Sequence, residues 1–264
     1  MTSTQSYEIR SDPSNVAKGL GIYATQLIAQ GTAIVKDEKP VFIARHEDDS
    51  DFYDFDNLEP DQREYLETLS GSPQDKKGNP VEVTNGTRFD CNNWNLGKIK
   101  VGEGEYGGVF ETLGRINHSC FPNAMFDWNN TTKTANLHAL RAIRNGEEIT
   151  ASYFGDGIWD RPNRRKTYLL THYGFECKCE VCMLTKRGDG LRLRRRSELR
   201  SFAQEMRGLP SFPDSDYIEG KFWADELLRN VAKMCNLLEV ELGMTANAGE
   251  NELPQTLDPF LAEV

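Results

Sequence analysis

The chain is 264 residues long, 38% hydrophobic and 27% charged, the profile of a soluble globular protein with one large core or two smaller ones. Its 41 acidic residues outnumber its 31 basic ones, for a formal charge of -10. That balance argues against a general nucleic-acid binder, which needs a broad basic surface, and favours a partner rich in Lys and Arg.

No apolar run approaches the roughly 18 residues of a membrane span. The polar start, MTSTQSYEIRSDPSN, lacks the apolar stretch of a secretion signal. Together these predict an intracellular protein, nuclear or cytoplasmic, with no membrane association and reduced thiols.

In chain order, GLGIYATQLIAQGTAIVKDEKPVFIAR (19–45) carries short apolar runs punctuated by Gly19, Gly21 and Gly31, the pattern of strand, turn, strand. Residues 46–61 are strongly acidic and read as an exposed loop. DQREYLETL (61–69) reads as a short helix, and SGSPQDKKGNP (70–80) as a loop. TRFDCNNWNL (87–96) reads as a strand, followed by a glycine-rich turn, GEGEYGG.

TANLHALRAI (134–143) and EEITASYF (147–154) read as strands around RNGE, where Asn145-Gly146 is a hairpin signal. Pro162 opens a helix through RRKTYLLTHY that ends before Gly174. Beyond residue 185 the pattern turns helical, in LRRRSELRSFAQEMR and FWADELLRNVAKMCNLLEVE. The basic run RLRRRSELR (192–200) reads as a solvated helix face, with a nuclear address as the alternative. The chain is thus expected to be a mixed, mostly β body followed by helices.

CKCEVC places Cys177, Cys179 and Cys182 within six residues. Three thiols so close in a reducing compartment point to zinc, and a structural zinc needs a fourth ligand from elsewhere. Cys120, Cys91, Cys235 and the four histidines are the candidates. Cys120 attracts attention because it sits in GRINHSCFPNAMF (114–126), where polar groups crowd an apolar run.

Four segments, KGLGIYA (18–24), RINHSCFPN (115–123), GEEITASY (146–153) and YGFECKCEVC (173–182), occur in an order and at distances that resemble a SET-domain protein lysine methyltransferase of the SMYD-like branch. The resemblance covers roughly residues 8–184, around a variable insert at about 45–86. It implies a mainly β fold with α elements, built of small curved sheets, with the NHSC segment threaded beside the strand carrying ITASY. The implied organisation is a SET domain over 1–156, a zinc-bound post-SET segment over 157–185 and a helical C-terminal region over 186–264.

The resemblance further implies S-adenosylmethionine as methyl donor. Backbone groups of Lys18 and Leu20 would meet its methionine part, where glycines allow close approach. Asn92 would touch it as well. Gly114, Asn117 and His118 would hold its ribose, amino-acid and adenine portions, and Phe175 would pack on the adenine. Tyr153 is implied as the catalytic tyrosine, with Tyr173 lining the lysine channel. Cys120, Cys177, Cys179 and Cys182 would bind one structural zinc.

The sequence departs from the SMYD pattern in two respects. Residues 24–90 hold one His and no Cys, so the MYND zinc module is missing there. The C-terminal helical region is also short for that branch. The expected activity is protein-lysine N-methylation, on a histone or another protein with a basic, Lys-containing segment. A non-catalytic SET scaffold and a methyltransferase acting on a small-molecule amine are the rival readings.

Overall fold

The computed structural model describes residues 5–12, 18–45, 55, 58–72, 79–97, 104–154, 156–183, 190–207 and 232–240. The chain divides into two compact units, Met1–Tyr153 with Pro162–Cys182, and Phe154–Arg161 with Met183–Val264.

The first unit is built on three small sheets. β1 (Tyr7–Ser11), β2 (Leu20–Ala24), β7 (Asn117–His118) and β10 (Glu148–Ala151) form one, in the order β1-β2-β10-β7. β3 (Ala33–Glu38), β8 (Ala124–Asn129) and β9 (Thr134–Ala139) form the second, in the order β3-β9-β8. β4 (Phe42–Arg45), β5 (Trp94–Gly97) and β6 (Tyr106–Val109) form the third, in the order β4-β6-β5. Ile22, Phe110, Leu113, Leu137, Ile143 and Ile149 anchor the main core, each almost wholly buried. A second cluster, Phe42, Leu66, Leu69, Phe89 and Val109, seats α1 (Pro60–Glu67) and α2 (Asn85–Asn92).

In the first unit three expectations give way. The stretch 87–96 is not one strand, because residues up to Asn92 belong to α2. Thr84 and Thr87 close a reciprocal cap there: each side-chain oxygen accepts the other's backbone N–H, at 3.3 and 3.0 Å. Phe89 then fills the core from the helix, and only Trp94–Gly97 continues as a strand. The glycine-rich run is not simply a turn, since Tyr106–Val109 is the central strand of its sheet. A Cβ on Gly108 would come within 2.9 Å of the Leu96 side chain, so glycine serves close packing here.

The Asn145-Gly146 turn closes no hairpin. Its flanking strands β9 and β10 lie in different sheets. Gly146, at φ +78, donates instead to Ala24 O at 2.7 Å, and Ile143 bridges to Ile28. The turn moves the chain from one sheet to the next.

Other expectations hold: α1 forms, and α3 (Pro162–Tyr173) ends where Gly174 adopts φ +74. Most of the acidic stretch (46–54, 56 and 57), and residues 73–78 of the following loop, lie outside the described residues.

In the second unit, α4 (Gly190–Arg207) carries the basic run. The run is not solvated all round: Arg196 is buried, donates to Ile158 O at 2.7 Å and lies over the Trp159 ring. Of the last expected helix, residues 232–240 are helical, and 222–231 lie outside the described residues.

Candidate active site and cysteine cluster

The site grows from an unusual pairing. β7 runs parallel to β10, with Asn117 opposite Thr150 and His118 opposite Ala151. The second asparagine of the motif, Asn123, locks this arrangement. It is almost fully buried, its Nδ2 donates to Glu148 O at 2.8 Å, and its Oδ1 accepts from Thr150 N–H at 2.8 Å. Sequence reading assigned it no role, because a buried side chain bonding to backbone has no spacing signature.

His118 joins two parts of the site. Its Nδ1 accepts the Tyr153 backbone N–H at 2.9 Å, so Nε2 carries the ring proton, and Nε2 lies 3.1 Å from Cys120 Sγ. Burial lowers its pKa to about 4, so the ring is neutral at physiological pH.

The four expected sulfurs converge. Cys120, Cys177, Cys179 and Cys182 present ligand atoms that all lie within 4.8 Å of one another. Cys120 Sγ is 3.5 Å from Cys182 Sγ and 4.0 Å from Cys177 Sγ. Zinc–sulfur bonds of about 2.3 Å in a tetrahedron separate the ligands by about 3.8 Å, so the spacing fits that metal. Hydrogen bonding among the four thiols pulls Cys179 down and pushes Cys120 up. Four sulfurs this close cannot all ionise until a cation takes up their charge. The cluster could hold zinc. Cys91 is elsewhere, its thiol within 3.5 Å of His172 O and pushed up to about 12 by burial.

Above the cluster lies an aromatic group. The Tyr153 ring meets Tyr173, His118, Trp94 and Phe175 with centroids 4.9, 5.2, 6.4 and 6.5 Å away. Its hydroxyl donates to Ile116 O at 2.6 Å, and burial pushes the phenol well above its ordinary value. Tyr173 is pushed up for the same reason and points its hydroxyl at Tyr153 O, 3.5 Å away.

A polar patch completes the arrangement. Lys18 pairs with Glu148, and the other Glu148 oxygen accepts from Asn117 Nδ2 at 2.8 Å. Asn117 Nδ2 also donates to Leu20 O at 3.1 Å. Both amide hydrogens are thereby used, and Oδ1 remains as an acceptor. A Cβ on Gly21 would fall 2.8 Å from Asn117 Nδ2 and 2.9 Å from Glu148 Oε1, so only glycine leaves room for their bond. The buried Tyr23 hydroxyl finds no hydrogen-bond partner among the described residues.

Glu148 escaped the sequence reading. It lies 130 positions from Lys18, and in GEEITASY it looks like one more strand residue. Gly114 lies in the 3-10 turn Leu113–Arg115. Asn92 is occupied elsewhere, its Nδ2 bonding to Ser70 O and Arg88 O at 2.6 and 2.7 Å.

The SET domain family model matches residues 19–154, just over half of the sequence. The chain belongs to the SET-domain family. It is similar to Histone-lysine N-methyltransferase set5 of Schizosaccharomyces pombe, 37% identical over 94 residues, covering 36% of this chain and 28% of that protein. It is also similar to Histone-lysine N-methyltransferase SMYD1 of Homo sapiens, 31% identical over 112 residues, covering 38% of this chain and 22% of that protein. Protein-lysine N-trimethyltransferase SMYD5 of Mus musculus is 29% identical over 127 residues, covering 48% of this chain and 26% of that protein. The chain thus spans about a quarter of the length of these relatives.

Proposed function

We propose that the protein is an S-adenosylmethionine-dependent protein-lysine N-methyltransferase with one structural zinc at Cys120, Cys177, Cys179 and Cys182. The observation that carries this is the setting of Tyr153, a neutral phenol enclosed by Tyr173, Phe175, Trp94 and His118.

S-adenosylmethionine, when bound, supplies an electrophilic methyl group on a sulfonium leaving group. The polar patch suits its amino-acid end: Lys18 and Glu148 offer opposite charges side by side, and Asn117 Oδ1 offers an acceptor. Gly114, His118 and Phe175 are proposed to complete its site, with Leu20 giving an exposed apolar edge. Asn92 keeps only its Oδ1 for that purpose, given its bonds to Ser70 and Arg88.

The chain's own chemistry concerns the acceptor amine. Aromatic walls shed water and disfavour the ammonium form of a lysine, exposing the nitrogen lone pair. Tyr153 gives its hydroxyl proton to Ile116 O, so its oxygen faces other groups as an acceptor and orients the amine through an N–H. Its raised pKa keeps it protonated at neutral pH, so its role is orientation rather than proton removal.

The net charge of -10 suits a basic, Lys-containing segment of a histone or another protein as acceptor, and does not suit direct nucleic-acid binding. A nuclear or cytoplasmic setting follows from that acceptor and from thiol ligands kept reduced. Among the described residues no helix is long and apolar enough to cross a membrane.

The test uses labelled methyl donor with histones and a cell lysate, comparing wild type with Tyr153→Phe. Removing one oxygen strands Ile116 O and should cost about 1–3 kcal/mol of stability, leaving the protein folded and donor affinity near normal while turnover falls at least about tenfold, or about 1.4 kcal/mol in the barrier. Wild-type turnover in this variant would remove Tyr153 from its role. Donor binding without any labelled product would favour a scaffold, and labelling confined to small amines would favour the metabolite reading.

A further inference from the structure

Arg165 lies in the first half of α3 and is only 2% exposed. A guanidinium does not give up its proton, so such burial is costly unless acceptors and negative charge receive it. The receiving groups belong to the cysteine cluster. Arg165 Nη2 lies 3.2 Å from Val181 O and 3.6 Å from Cys182 Sγ. Four thiolates around one divalent zinc retain a net charge of about minus two. That residual charge sits in a buried pocket, where Cys120 and Val181 are fully enclosed and Cys177 and Cys182 nearly so.

His118 and Arg165 are side-chain donors at this cluster, beside the Cys179 backbone N–H on Cys177 Sγ. His118 Nε2 faces Cys120 Sγ at 3.1 Å, and Arg165 faces Cys182 Sγ. Each leads toward a tyrosine: His118 accepts the Tyr153 N–H, and Arg165 shares α3 with Tyr173. Leu169, fully buried one turn beyond Arg165, fixes the same helix face. Arg164 next door is exposed, so neighbouring residues of one type have opposite surroundings.

We propose that Arg165 is a positioning residue, the buried counter-charge of the metal-loaded four-thiolate cluster, through which metal loading sets the place of α3 and of Tyr173. This rests on the zinc assignment above, but not on methyl transfer. Metal neighbours that donate to ligating atoms tune both affinity and the electronic state of the ligand.

Zinc affinity of the full chain, read by competition with a chromogenic chelator, tests it in wild type, Arg165→Met, Arg165→Lys and Arg164→Met. Arg165→Met should weaken zinc binding about tenfold or more, as loss of an outer-shell partner does. Arg165→Lys should fall between, because an ammonium keeps the charge but not the planar donor fork. Arg164→Met should match wild type. With cobalt in place of zinc, the thiolate-to-metal charge-transfer band should move to lower energy in Arg165→Met, because a sulfur without its N–H donor holds its electrons less tightly. A role in packing alone would leave that band unmoved.

Zinc affinity within twofold of wild type together with an unmoved band overturns the proposal. Should Arg165→Met fail to fold, Arg165→Lys decides on the same two readouts: a weaker affinity with a shifted band supports the proposal, and wild-type values overturn it. A wild-type chain that takes up no zinc refutes the metal assignment itself, whereas zinc uptake indifferent to residue 165 refutes only the role of Arg165.

Discussion

Asn117 and His118 are adjacent in one two-residue strand, yet they serve regions of opposite character. Successive side chains of a strand leave on opposite faces. Asn117 joins the Lys18–Glu148 patch, and His118 joins the cysteine cluster. The patch is part-exposed and charge-balanced by itself, a lysine against a carboxylate. The cluster is mostly buried, and its four sulfurs can all ionise only with a cation among them. With zinc bound as proposed, dependence on a bound partner would differ: the cluster's order would be tied to its metal, while the patch, balanced by its own lysine and carboxylate, would be free to specialise in recognition.

The sharpest way to break this contrast is at Cys179. Cys179→Ser, or zinc removal by a chelator, should release the metal, loosen the segment carrying Cys177 and Cys182 and lower the melting temperature of the first unit, since lost binding energy is also lost folding energy. Metal analysis and calorimetry read both effects, and a Cys179→Ser protein that keeps its zinc and its melting temperature would erase the distinction.

A smaller effect is expected at Asn117. Asn117→Ala should lower melting modestly, since Leu20 O and Glu148 lose a donor, and should weaken S-adenosylmethionine binding roughly tenfold or more in titration calorimetry, because the Oδ1 acceptor proposed for its amino-acid end is removed. Wild-type affinity would show that the patch is structural only.

The smallest change sharpens the picture within the patch. Lys18→Ala should cost less than about 1 kcal/mol in denaturant unfolding, as a part-exposed ion pair does. Glu148→Ala should cost more, because it deprives both Lys18 and Asn117 of their acceptor. The reverse order would mean that Glu148 is not the hub of the patch.

Much of the cluster was legible because three of its ligands are local, within six residues. The fourth was not fixed by spacing, which left Cys91, Cys235 and the histidines open; family resemblance singled out Cys120. Glu148 stayed hidden because its partnership with Lys18 depends on the registers of β2 and β10, and no local pattern encodes register between distant strands. Arg165 stayed hidden in RPNRRK, where a buried arginine and a solvated one look alike. The helix Asn85–Asn92 was misread because Thr87 and Phe89 favour strands and Asn favours caps and turns, and the deciding contributions were a cap and the burial of Phe89. By contrast Pro162 and Gly174 bracket α3 with unambiguous start and stop chemistry.

The distance between Cys120 and its three partners has a kinetic consequence. Cys177, Cys179 and Cys182 are close enough in the chain to meet an ion before any sheet exists, whereas Cys120 stands 57 residues from Cys177. Bringing Cys120 in closes a long loop, and that closure carries an entropic cost which three-point ligation does not meet. In the folded chain Cys120 follows directly on Asn117 and His118, which dock along β10 by a non-local parallel pairing of the kind that forms slowly. If the cluster takes zinc as proposed, an ion captured early would be held by three sulfurs until the sheet is complete, and the fourth bond would mark a chain that has found the correct threading.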